Sequence, residues 1–245
     1  MGIIDRFIRN NDIYTIKKIN NTCIVIFDSH KMALPVWGVM SSILNVPLNL
    51  VSFDFHTDTH SPFAAAVCSN DPLGMSNYST NHAVIKSILR NKKYKRNSFN
   101  FDDIADIAEN NLRNDEHILT AVMFEYIKSY TIICAENAYT LSSYQDQDRY
   151  NGYNASYFSK NDISEIKLVV QSPVILDFDL DYFNSMDDFC SGFVELIIPL
   201  IKRAEVITIA REPHFFELCK VDNEYRVDEA MNTLLELLEK TLTVC

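Results

Sequence analysis

Basic side chains are in short supply: 22 Lys and Arg stand against 33 Asp and Glu in 245 residues, a formal net charge of −11. A general nucleic-acid binder carries a basic face, so the charge argues against nucleic acid as a partner. A negative field instead concentrates cationic ligands at a cleft, and bound metal ions would neutralise part of it. No apolar run is long enough to span a bilayer. The six cysteines (Cys23, Cys68, Cys134, Cys190, Cys219 and Cys245) form no CxxC pair and no other zinc spacing. Most sit within or beside apolar runs, where Cys packs as a small hydrophobe, which predicts reduced thiols in a reducing compartment. The opening MGIIDRFIRNND is too short in its apolar part for a signal peptide, and Arg6 stands where a myristoylation signal needs Ser or Thr. These absences predict a soluble, cytoplasmic protein without a membrane partner. Only five glycines occur, with no internal repeat and no low-complexity tract.

What is present is enough for a real core. The 47% hydrophobic and 11% aromatic content excludes wholesale disorder. Five short apolar runs read as buried strands: TCIVIF (22–27), LNLVSF (48–53), YTIICA (130–135), SPVILDFDL (172–180) and AEVITIA (204–210). They are continuous rather than alternating, as in strands covered on both faces. Helical patterns lie between them: ALPVWGVMSSIL after the first strand, HAVIKSILR from His82, EHILTAVMFEYIKS before the third, GFVELIIPLIKRA before the last, and VDEAMNTLLELLEKTL near the end. This order predicts a three-layer α/β/α sandwich with a mainly parallel sheet. No linker divides it, so residues 1–245 read as a single domain. Two polar stretches, 91–116 and 142–160, read as irregular. Each is either a solvated surface excursion or the rim of a binding groove for an extended substrate.

In open α/β sheets, ligands bind beyond the carboxyl ends of the strands, and the charged residues gather there. TCIVIF runs into Asp28 and His30, and LNLVSF into Asp54, His56 and Asp58. SPVIL runs into Asp177, Asp179 and Asp181, and AEVITIA into Arg211 and Glu212. In VSFDFHTDTH the Asp54, His56 and Asp58 spacing of two places all three on one face of an extended strand. Asp28 or His30 alone reads equally as a turn residue, and a lone DxD is weak. DxHxD followed far along the chain by DxDxD, each directly after a buried run, is specific. Carboxylates gathered without cations would repel and take up protons. Oxygen donors with a few imidazoles suit Mn²⁺ or a similar divalent ion.

DFHTD resembles the DAHxD motif of the arginase and ureohydrolase superfamily, DFDLD its SFDxD, and DSH its GGDHS, in the same order along the chain. The resemblance implies an arginase-like fold and a dinuclear manganese centre. Carried over, His30, Asp54, Asp58 and Asp179 bind one ion, and Asp54, His56, Asp179 and Asp181 the other. Asp177 stands where arginases have Ser, and is either a further ligand or a group orienting one. The implied reaction is attack of a metal-bridging hydroxide on a guanidinium carbon, with a histidine shuttling the proton. His117, which opens the apolar stretch HILTAVMFEY, takes the place of the family's shuttle, with His82 and His60 as rivals. The guanidinium-binding Glu of the family falls at Ala210 here, and Glu212, two positions on, preserves the strand face and takes that role. Arg211 then faces an anionic group or pairs with Glu212.

Within the superfamily the chain is most similar to atypical peptide arginases, which convert arginine in a ribosomal precursor peptide to ornithine and urea. An SGNxHG segment, with which arginases hold the free amino acid, does not follow Asp58. The implied partner is an arginine-containing precursor peptide, and the oligomeric state stays open. Other dinuclear amidinohydrolases remain a rival reading, as does a metal-stabilised module that binds cationic peptides without turnover. A deacetylase is disfavoured because no His-His pair occurs.

Overall fold

The computed structural model describes residues 14–63, 85–88 and 90–243. Its elements in chain order are β1 (Thr15–Ile19), β2 (Thr22–Phe27), α1 (Ala33–Leu44), β3 (Leu48–Phe53), α2 (Phe101–Asn111), α3 (His117–Met123) and β4 (Ile127–Cys134). There follow α4 (Ala138–Tyr150), β5 (Ala155–Ser159), β6 (Val174–Asp179), α5 (Ser191–Ile201), β7 (Ala204–Ala210), α6 (Pro213–Cys219) and α7 (Val227–Thr243). The chain groups into two compact units, one from the described parts of 1–29, 48–57 and 129–245, the other from the described parts of 30–47 and 58–128. Among the described residues no helix is long and apolar enough to cross a membrane.

The first unit carries a seven-stranded sheet in the order β1-β2-β7-β6-β3-β4-β5. β1 pairs antiparallel with β2, whereas β2–β7, β7–β6, β6–β3 and β4–β5 pair in parallel. β3 and β6 are buried at every residue, the signature of strands covered on both faces. Pairing of Phe27 with Ala210, Asp179 with Ala210, and Phe53 with Phe178 brings the carboxyl ends of β2, β7, β6 and β3 level. The edge is held from behind by aromatic rings. Phe53 lies 5.3 Å from Phe178 and 5.4 Å from Phe193, and Tyr182 packs 5.0 Å from Phe183. Each buried ring contributes about 1.5–3 kcal/mol by leaving water. The acidic residues therefore alternate with anchors: Phe178 points into the core between Asp177 and Asp179.

In the second unit α1 is buried from Ala33 to Ser41. Gly38 admits two rings to its backbone, since a Cβ there would sit 2.3 Å from Phe99 Cε2 and 3.0 Å from Tyr126 Cε2.

The α/β order read from the sequence stands, but both stretches read as irregular contain regular structure. α2 lies inside 91–116, with Asn100 capping its first turn through the Asp102 and Asp103 amides. It buries Phe101, Ile104, Ala105, Ile107 and Ala108, a helical stripe thinned by intervening acids. Most of α4 and all of β5 lie in 142–160. β5 pairs with β4, and buried Asp148 of α4 accepts hydrogen bonds from the Tyr130 hydroxyl at 2.7 Å and the Tyr157 hydroxyl. Tyr157 is thus a packing group with a satisfied polar tip, whereas Tyr150 is exposed.

Candidate metal centre

In the first unit the DFH turn begins where β3 stops. The Asp54 amide donates to the Ile133 carbonyl at 3.1 Å, and Asp54 Oδ1 then accepts from the His56 amide at 2.7 Å. Asp179 repeats the device at the end of β6, with Oδ1 accepting from the Asp181 amide at 3.2 Å. A short side chain bonding the backbone two residues on closes an Asx turn. The spacing of two thus works differently from the extended strand expected for residues 54 to 58. β3 ends at Phe53, the acidic residues sit on tight turns, and Asp58 adopts a left-handed backbone with φ 49°. Turn closure by Asp54 outcompetes strand continuation.

The two turns meet. Asp181 Oδ1 accepts from the Phe55 amide at 3.1 Å, and Oδ2 lies 3.3 Å from His56 Nδ1. His56 Nδ1 is also 3.9 Å from Asp54 Oδ1. Asp54, Asp179 and Asp181 are buried, whereas the His56 side chain is 49% exposed. Burial pushes the Asp181 acid upward; its bond to His56 opposes this, and the Asp54 charge adds to it. The Cys219 thiol of α6 donates to Asp181 Oδ2 at 3.9 Å. Its pKa is pushed up to about 12 by burial and by the charges of Asp181, Asp179 and Asp54. Ligand atoms of His56, Asp181 and Cys219 all lie within 4.8 Å of one another. Cys219 had no sequence signal: it reads there as one more small apolar residue, and only the fold brings it to the turn.

Asp177 sits one pleat deeper on the same face of β6 as Asp179. Its Oδ2 accepts from Ser52 Oγ at 2.8 Å on β3, and its Oδ1 from Thr208 Oγ1 at 2.5 Å on β7. Both partners are its register neighbours. Asp177 ties three strands together beneath the acidic turns.

At the end of β7 the Arg211 and Glu212 amides continue the β2 pairing by donating to the Phe27 and Asp28 carbonyls at 2.8 and 3.0 Å. The Arg211 guanidinium reaches Asp28 at 3.3 Å and Asp228 at 3.1 Å. Glu212 is buried, directly precedes α6 and has a left-handed φ of 37°. Such a conformation is costly for a residue with a Cβ, and it turns the chain sharply from strand to helix.

In the second unit His30, Asp58 and His117 come together. His30 opens a 3-10 turn before α1, and His117 opens α3. His30 Nδ1 lies 3.0 Å from Asp58 Oδ2, and the His30 and His117 rings are 4.3 Å apart. Burial, followed by the neighbouring His30 charge, drives the His117 pKa well below its usual range, against the opposing bond to the Asn114 carbonyl. His60 lies on the surface, 3.0 Å from Asp115. His82 lies outside the described residues.

These donor sets fit divalent ions. Buried carboxylate oxygens and imidazole nitrogens converge within each unit, and clustering of this kind is costly without a cation. Fold and side chains together define a class: an α/β protein whose mainly parallel sheet ends in carboxylate- and imidazole-bearing turns suited to divalent metal. No family model matches the sequence, and no curated protein matches it. Among solved structures the chain is similar to the proclavaminate amidino hydrolase of Streptomyces clavuligerus, with a TM-score of 0.51 at 12% identity. The match covers 91% of this chain and 64% of that one, so this chain spans less than two thirds of the neighbour's length. The likeness establishes an arginase-like fold, with a seven-stranded, mostly parallel sheet flanked by helices.

Proposed function

We propose that this protein is a metal-dependent hydrolase of guanidino groups that acts on arginine side chains in a peptide, leaving ornithine and releasing urea. The observation that carries this reading is the Asp54, His56, Asp179 and Asp181 set on two facing turns at the carboxyl ends of β3 and β6. The likeness to a solved amidino hydrolase supports the guanidino class. In this reading Asp54, His56, Asp179 and Asp181 hold one ion, and His30 and Asp58 help to hold a second. The oxygen-rich donors favour Mn²⁺. Bound ions of this kind supply water that ionises near neutral pH.

The chain's own groups supply the rest. Water adds to the guanidinium carbon, the bond from that carbon to the side-chain nitrogen breaks, and the nitrogen leaves with a proton as the ornithine amine. A guanidinium is planar and bidentate, so a carboxylate matches it. Buried Glu212, at the carboxyl end of β7, is the group assigned to receive it. Arg211 itself is held by Asp28 and Asp228. The peptide substrate is supported by the lack of an SGNxHG segment after Asp58 and by the half-exposed His56 beside Phe215, 6.5 Å away. A small guanidino acid is the second reading, favoured by the substrate that the neighbour's name carries.

The test incubates Mn²⁺-loaded protein with an arginine-containing peptide and, separately, with free L-arginine, beside chelated controls. Mass spectrometry follows arginine to ornithine. Metal-dependent conversion in the peptide alone is the expected result. Conversion of free arginine alone transfers the assignment to small substrates, and metal binding without any conversion overturns the arginine reading.

A further inference from the structure

We propose that His117 is a metal ligand, completing with His30 and Asp58 a buried set of two imidazoles and one carboxylate for a divalent ion. This rests on the metal-centre part of the reading above and is independent of the substrate. Ligand atoms of His30, Asp58 and His117 all lie within 4.8 Å of one another. The whole of His117 is 0% exposed.

The decisive feature is the state of the His117 ring. Its Nδ1 lies 2.5 Å from the Asn114 carbonyl oxygen. A carbonyl only accepts, so Nδ1 carries the proton and Nε2 is left with a lone pair. That Nε2 is buried and has no hydrogen-bond partner among the described residues. A metal-ligating histidine commonly donates its other ring N–H to a carbonyl, which fixes the tautomer and aims the lone pair. The Asn114 carbonyl fixes the tautomer of His117 in this way.

The ring is also held in place. The turn carrying Asn114 is closed by the Arg113 amide donating to Glu116 Oε2 at 3.2 Å and by the Glu116 amide donating to the Arg113 carbonyl at 3.3 Å. Trp37 packs 5.2 Å from the His117 ring. A proton shuttle has to gain and lose a proton with solvent and to turn between partners. A ring with no exposed surface, one nitrogen committed to a carbonyl and a tryptophan against it is built to stay still. Two imidazoles and a carboxylate bind borderline first-row divalent ions.

The experiment uses the full chain. Wild type and His117→Asn are dialysed to equilibrium against Mn²⁺ and their metal content is measured. Asn keeps a short donor for the Asn114 carbonyl and has no atom in place of Nε2. The expected result is an affinity loss of at least about tenfold for one ion, the scale set by removing groups that merely support ligands. A shuttle would leave affinity unchanged, and its lost turnover would be restored by added imidazole; that result overturns the proposal. A second readout needs no variant. In wild type with isotope-labelled histidine, titration with Zn²⁺ should move the His117 Nε2 resonance, and a resonance that stays in place while other imidazoles shift also overturns it. If wild type binds no ion, this proposal and the metal centre fall together. If His117 responds to metal and no urea is formed, the proposal stands and only the substrate reading falls.

Discussion

Acidifying the metal-free protein should expose the cost of keeping His117 neutral. In the native state burial and the nearby His30 hold its pKa well below the ordinary 6.5. In the unfolded chain the ring returns to about 6.5. The stability contributed by the neutral ring is therefore complete above pH 6.5 and is lost as pH falls toward the native value, because the unfolded state binds the extra proton. The slope is about 1.4 kcal/mol per pH unit for one proton. Each pH unit of acidification between 6.5 and the native value therefore costs about that much, or about 3–6 °C in melting temperature for a chain of this size. The assay compares thermal and urea unfolding of wild type and His117→Asn in chelator across that range. The His30 ring, 4.3 Å away, is present in both proteins, so the comparison isolates the site removed at position 117. The stability gap between the two proteins should change by that amount on acidification. Parallel profiles would refute the neutral, buried ring.

Gly38→Ala gains about 1 kcal/mol in helix propensity, but its Cβ at 2.3 Å from the Phe99 ring overpacks the helix by about 1–3 kcal/mol; urea unfolding should show net destabilisation. Asp177→Ala strips a charged acceptor from the Ser52 and Thr208 hydroxyls. Each such bond is worth about 1.5–3 kcal/mol, partly offset by removing a buried carboxylate, so a loss of about 3 kcal/mol in stability is expected with bound metal unchanged. Glu212→Gln should retain its metal and lose roughly 100-fold or more in turnover of an arginine peptide, the scale of losing one positioned charge at a reacting group.

Much of the fold was legible because burial on both faces writes itself as continuous apolar runs. LNLVSF and AEVITIA are strands over the ranges read from the sequence. β1 and β5 were not legible. β1 mixes Lys17 and Lys18 into an edge strand, and β5 reads as part of a Tyr- and Asn-rich stretch. The acidic clusters were visible as spacing, yet the spacing concealed its mechanism: Asp54 and Asp179 close turns, which one-dimensional periodicity cannot distinguish from a strand. The approach of Cys219 to Asp181, and of His117 to His30, is set by tertiary packing between distant segments and leaves no local trace. Asp177 shows the same limit. Its partners Ser52 and Thr208 are ordinary hydroxyls until strand register sets them on either side of it.

The central claim is that the acidic turns after β3 and β6 bind divalent ions that enable guanidino hydrolysis. It is tested most directly by measuring urea released from an arginine-containing peptide by Mn²⁺-loaded wild type and Asp181→Asn, each with its bound metal measured. The predicted result is urea from wild type, none after chelation, and loss of both a bound ion and urea in Asp181→Asn. Undiminished urea from the variant, or from the chelated wild type, would contradict it.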